Sequence, residues 1–313
     1  MKAVVFAFSV CIAAAQPLVP DAEFDLARLK HHRFTRSYIA ANSSGLTLVL
    51  IDRNNVLLVS ADPIGRMLHS RSDLGSVKVQ IDTALLNPNG DVWILSSSPY
   101  HLLEPFGVGS GLGITDAPQV RAPSGRGSSQ TTNFGQLDLY SPAGDHLAFL
   151  RLLALAAIPI AAGNDRLVLR STGPPGRRTP QIVYFGTVAD NRFKEETQVR
   201  IDPAVFGAIP VLASNGNLLL IGRDSGNMVV IDPNSKSGSV VRLTKPHRVR
   251  AAAADSGYIY LLSADTVLKT DSTGNVLSTY PVQVRGFVPV TLGVTGNLLY
   301  LADNTGHVAR FQL

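Results

Sequence analysis

The closing stretch of the chain, Gly296 to Leu313, reads as a strand, a tight turn and a second strand. The first strand is Gly296-Asn-Leu-Leu-Tyr-Leu-Ala-Asp303, and the second runs from His307 to the final leucine. Looser copies stand upstream at Gly216 to Asp232 and at Gly257 to Asp271. A β unit recurring at this length constrains the fold more than composition does. One such unit cannot bury its apolar faces alone and must stack against further copies. The expected architecture is all-β: a propeller of four-stranded antiparallel blades, lettered a to d from the central channel outward.

Aligning the turns places the blades. In blade one, strand a is Leu46 to Ile51, b Asn55 to Ser60, c Arg66 to Arg71 and d Ser76 to Ile81. Blade two takes a near Thr83 to Leu86, the turn Asn87 to Gly90, b at Asp91 to Ser96, c at Gln136 to Tyr140 and d at His146 to Leu152. Blade three has a at Ile158 to Ala162, b at Arg166 to Arg170, c at Gln181 to Gly186 and d at Phe193 to Ile201. Blades four and five run from Pro210 to Leu243 and from Val249 to Pro281. Asn, Asp and Gly recur between strands because tight hairpin turns need positive φ or side-chain bonds to the backbone.

The last unit shows strands at Val288 to Gly293, Leu298 to Ala302 and His307 to Leu313, and then the chain stops one strand short. A ring leaves no exposed sheet edge only if both ends of the chain build one blade. Residues within Glu23 to Ala40 are therefore expected to supply the outer strand of this blade, giving six blades. Ser97 to Asn133 reads as a long loop, because Gly107 to Gly113 and Ala122 to Ser129 are rich in Gly, Ser and Pro. A hairpin hidden there would make seven blades.

Residues 1–15 resemble a secretory signal: Lys2, an apolar run from Ala3 to Ile12, then Ala13-Ala14-Ala15. That run is too short to span a bilayer. The expected division is a signal at 1–15 and one propeller domain over 16–313, delivered to the periplasm or the medium with no membrane span. Cleavage would remove Cys11, the only cysteine. A chain this long can fold without a disulfide, and an exported cysteine-free chain of this size is more typical of a bacterium. The net charge of +5 is modest over 313 residues. No stripe of Lys and Arg interleaved with aromatics marks a nucleic-acid surface, and the expected state is a monomer.

Gly296-Asn-Leu-Leu-Tyr-Leu-Ala-Asp303 resembles the NHL repeat, in which a glycine turn precedes a "YVAD"-like strand. This copy carries one extra residue before Tyr300, and His307 and Val308 stand where the family places an arginine. NHL and TolB-like proteins form six-bladed propellers, so the resemblance implies the same ring. Some NHL-type propellers are lyases or lactonases with a metal in the channel, but no residue set here matches their catalytic groups. WD40 and quinoprotein propellers use recurrent tryptophans, and this chain has only Trp93.

Catalytic signatures are missing from the sequence: no Gly-x-Ser-x-Gly elbow, His-Glu-x-x-His, cysteine pair or Walker loop occurs. In a propeller the b–c and d–a connections emerge on one face and the a–b and c–d turns on the other. The long segments Ser97 to Asn133 and Ser171 to Pro180 are both b–c connections and would shape a cleft over one channel mouth. Asp62, Asp224, Asp265 and Asp303 are read as equivalent b–c positions. They form either a carboxylate ring suited to Ca²⁺ or four turn residues bonded to their own backbones, and the turn reading is favoured. His247, Arg248 and Arg285 on d–a connections, with Arg177 and Arg178, are the candidate ligand-binding residues, because guanidinium groups match carboxylate and sulfate. The expectation is an exported, non-catalytic scaffold that binds a protein or an anionic glycan or peptide, with no cofactor. The alternative is a metal-dependent lactonase or lyase of the NHL-like or gluconolactonase-like type, with its site at the channel mouth.

Overall fold

The computed structural model describes residues 17–27, 34–52, 55–72, 74, 80–98, 134–152, 157–171, 181–201, 208–243 and 248–313. Its strands form six four-stranded antiparallel sheets arranged as a propeller. Blade one consists of β2 (Arg36–Asn42), β3 (Gly45–Asp52), β4 (Asn55–Ala61) and β5 (Met67–Arg71), from the channel outward. Blade two follows with β6 (Gln80–Leu86), β7 (Val92–Ser98), β8 (Phe134–Tyr140) and β9 (His146–Leu152). Blade three contains β10 (Ala157–Ala162), β11 (Leu167–Ser171), β12 (Gln181–Ala189) and β13 (Arg192–Ile201). Blade four is β14 (Ile209–Leu212), β15 (Leu218–Ile221), β16 (Asn227–Asp232) and β17 (Ser237–Arg242). Blade five is β18 (Ala251–Asp255), β19 (Tyr258–Leu262), β20 (Thr266–Thr270) and β21 (Val276–Pro281).

The sixth blade joins both ends of the chain. Its inner strands are β22 (Thr291–Thr295), β23 (Leu298–Ala302) and β24 (His307–Gln312), and its outer strand is β1 (Ala22–Asp25). The register runs Ala22↔Arg310 to Asp25↔His307. Backbone bonds from Asp21 to Arg310 and from Leu26 to Gly306 extend the pairing at each end. Arg310 makes a bidentate pair with Asp21, Nε–Oδ1 3.0 Å and Nη2–Oδ2 2.9 Å, and also donates to the Pro63 carbonyl of blade one. His307 lies 3.0 Å from Glu23 on the same outer strand.

The expected closure is present, but blade one is out of phase by one strand. The stretches read as a, b and c are its b, c and d, and strand a is Arg36–Asn42. Of the expected outer strand d, residues 76–79 lie outside the described residues, and Gln80 and Ile81 belong to β6 of blade two. The physical reason is burial. Middle strands are covered on both faces and read as continuous apolar runs, as Leu48 to Ile51 and Val56 to Val59 do. The inner strand Arg-Ser-Tyr-Ile-Ala-Ala-Asn faces the channel, is only half buried, and has a weaker apolar signature. The blade count is unaffected. β7 and β8 pair along their whole length up to Ser98↔Phe134, so residues 99–133 join neighbouring strands of one blade.

Packing follows the ring. Each of the six blade-to-blade interfaces has its own apolar cluster. Tyr300, Leu48 and Leu50 lie between blades six and one, and Phe185, Val183 and Leu218 between blades three and four. Strands b and c contribute most of this core and hold the inner strands at fixed positions around the channel.

Candidate functional site

The six inner strands enclose a cavity of about 1260 Å³ along the propeller axis. Its walls are built from small residues, including Ala40, Ala41, Ala161, Ala162 and the run Ala251 to Ala254. Short side chains on strands that must crowd around an axis leave the channel open.

Inner strands all run from the b–c face toward the a–b face, so position along a strand fixes depth. Arg36 opens β2, Asp82 lies near the start of β6, Arg170 near the end of β11, Arg223 just beyond β15, and Arg250 just before β18. All five line the cavity, and all lie at its b–c mouth. Asp255 ends β18 at the opposite mouth, where its Oδ2 accepts the Gly296 N–H at 2.8 Å.

These groups are held differently. Arg36 donates to two carbonyls of blade two, Ile81 at 2.7 Å and Asp82, so its guanidinium ties blades one and two together. Arg223 makes a long bond, 3.5 Å, to the Arg250 carbonyl, while Val249 N–H donates to the Arg223 carbonyl at 2.8 Å. Arg170 is half buried, and burial lowers its pKa from the usual guanidinium value. Among the described residues its enclosed Nε has no hydrogen-bond partner. Neutral polar groups stand across the mouth: Ser37 Oγ donates to Asn304 Oδ1 at 3.1 Å, and Tyr38 and Thr83 hydroxyls are 3.2 Å apart.

The residues singled out from the sequence are dispersed. Arg177, Arg178 and His247 lie outside the described residues. Arg248 is on the b–c face, where it pairs with Asp224 at 3.6 Å. With 87% and 76% of their side chains exposed, this pair is strongly screened and contributes little. Arg285 is exposed on the connection between blades five and six, away from the cavity lining. Asp62 is a correction: with blade one shifted it sits in a c–d turn, on the opposite face from Asp224, Asp265 and Asp303.

The carboxylates are engaged locally. Asp62 Oδ1 accepts the N–H groups of Ile64 and Arg66, and Asp303 Oδ1 accepts Thr305 N–H, Thr305 hydroxyl and His307 N–H. Asp265 accepts the Thr266 hydroxyl. Lone pairs committed to turn donors are poor calcium ligands. Among the described residues no three His, Cys, Asp or Glu side chains come together to hold a metal ion.

The arginines that line the mouth were not singled out from the sequence. Arg250 is two residues from the candidate Arg248; both precede β18, and of the two Arg250 lines the cavity. The available signal was position: Arg223 directly follows strand b and Arg250 directly precedes strand a.

No family model matches the chain. A search of curated proteins also finds no match. Solved structures do share its fold. Virginiamycin B lyase from Staphylococcus aureus is 13% identical with a TM-score of 0.50, covering 93% of this chain and 98% of that one. A chain of the Mitotic Checkpoint Complex gives 10%, 0.53, 100% and 99% on the same measures, and the RRP9 WD40 repeats give 13%, 0.50, 96% and 82%. At such identities the likeness is one of fold. The chain is a six-bladed β-propeller, and its resemblance to NHL and TolB-like propellers holds at that level.

Proposed function

We propose that this protein is an exported, non-catalytic propeller that binds a ligand at the b–c mouth of its channel. The observation that carries this reading is the cavity of about 1260 Å³, whose b–c mouth gathers the guanidinium groups of Arg170, Arg223 and Arg250. Ligand sites are commonly concave, mostly apolar and set with a few convergent polar groups. The signal-like residues 1–15 support export to the periplasm or medium. A metal-dependent lyase or lactonase would need acidic or histidine groups converging in the channel, whereas Asp82 and Asp255 line opposite ends of it.

A channel-filling variant tests the site. Thr83 lines the cavity at the b–c mouth and belongs to none of the apolar clusters, so Thr83→Trp obstructs the mouth without removing core. A compound that raises the unfolding midpoint of the natural chain should lose that effect in Thr83→Trp. At a hundredfold excess over Kd the lost stabilisation is about 2.7 kcal/mol. Equal stabilisation of both proteins would place binding elsewhere.

A further inference from the structure

Resting on that reading, we infer that Arg170, Arg223 and Arg250 form an oxyanion-recognising arc, and that the ligand is an organic molecule presenting a carboxylate, sulfate or phosphate to it. The three residues come from blades three, four and five, which are consecutive around the ring, and all reach the same mouth. Three guanidinium groups without acidic partners are thereby gathered on one side of the channel. The other side carries Arg36 and Asp82, both engaged within the protein, and the neutral groups of Ser37, Tyr38, Thr83 and Asn304.

Other arginines of the protein have found carboxylates. Arg166 pairs with Glu196 at 3.1 Å, Arg248 with Asp224, and Arg310 with Asp21. Among the described residues, none of the three arc arginines has an acidic partner. Of the carboxylates lining the cavity, Asp255 is at the far end on a backbone N–H and Asp82 is already engaged within the protein. Arg36, at the same mouth, donates to the two backbone carbonyls and is set apart from the arc.

Arg170 is the anchor. Arg170 lines the cavity half buried, where a guanidinium is less screened than at the rim, and an oxyanion there would meet its terminal N–H groups, the Nε–H being enclosed. Arg223 and Arg250 are exposed at the rim, where they steer an anion inward and clasp its second oxygen. The size of the cavity favours an organic body over a bare ion, since ligand pockets span roughly 300–1,000 Å³. This one is at least as large.

The test is calorimetric titration and thermal unfolding at constant ionic strength. Probes are citrate, trigalacturonate, inorganic sulfate and inorganic phosphate, with maltotriose as the neutral control. The proteins are the natural chain, Arg170→Gln, the double variant Arg223→Gln/Arg250→Gln, Thr83→Trp, and Arg200→Gln on the outer strand β13. The expected result is that citrate or trigalacturonate binds the natural chain and Arg200→Gln alike. Affinity should fall tenfold or more in Arg170→Gln and severalfold in the double variant. The inorganic ions should bind more weakly at the same residues. Should Arg170→Gln not fold, the exposed double variant carries the test alone. Equal binding by natural chain and arginine variants, or binding by no oxyanion probe, overturns the inference. Maltotriose binding that Thr83→Trp abolishes and the arginine variants spare would overturn the inference while leaving the channel-mouth reading standing. Probe binding that Thr83→Trp does not affect would remove both.

Discussion

Gly306 shows how much a single position carries in this ring. It adopts φ +90°, and a Cβ there would come within 2.3 Å of the Ala27 methyl on the segment that follows the closing strand. Gly306→Ala combines left-handed strain with a clash against the closing segment, and should cost about 1–3 kcal/mol, measurable by denaturant unfolding. Gly65 is in a comparable position, since its Cβ would meet the Phe24 ring at 1.9 Å. Glycine in these turns was legible from the sequence as turn chemistry. The contact that forbids a side chain was not, because Ala27 and Phe24 are far away in the chain. The same limit hid the arginine arc. Charge at a strand end can be read from sequence, but whether it faces the channel or the rim depends on pleat and blade phase.

Between strands, the turn carboxylates act as local braces. Asp271 ties together the turn from β20 to β21, with Oδ1 accepting Thr273 N–H at 2.9 Å, Thr273 hydroxyl at 2.7 Å and Asn275 N–H at 2.9 Å. The Thr273 hydroxyl and the Asn275 N–H together lower its pKa from 3.8 to about 2. A depressed folded pKa stabilises the fold above the unfolded value and loses that contribution as pH falls through the folded one. Asp271 should therefore titrate near pH 2 by carboxyl carbon NMR, and Asp271→Asn should flatten the stability profile between pH 4 and 2, about the window that separates the two pKa values. Middle strands and turns of this kind were readable throughout, because continuous apolar runs and Asn, Asp and Gly breaks survive without tertiary context. The half-buried channel strand Arg36–Asn42 was the element that sequence periodicity passed over, and misplacing it moved Asp62 to the wrong face.

Seen as one body, the ring depends on its seam. Arg310 joins Asp21 of the closing segment to Pro63 of blade one, so a single side chain binds the outer strand, the sixth blade and the first. Hydrogen bonds to a charged group of this kind contribute about 1.5–3 kcal/mol. Arg310→Gln should lower global stability by about 2 kcal/mol in chemical denaturation. Removing residues 17–27 should do more, exposing the edge of β24 and producing self-association visible by light scattering.

The seam also sets an order of events in time. Asp21 and Arg310 are separated by 289 positions, so they meet only after the intervening blades have brought the two ends together. Closing so long a loop is entropically expensive and comes late. The seam should consequently behave as a latch absent from the folding transition state. Weakening it with Asp21→Asn should accelerate unfolding while leaving the refolding rate nearly unchanged. Stopped-flow rates for the two proteins would show whether the persistence of this fold is governed by how rarely that latch opens.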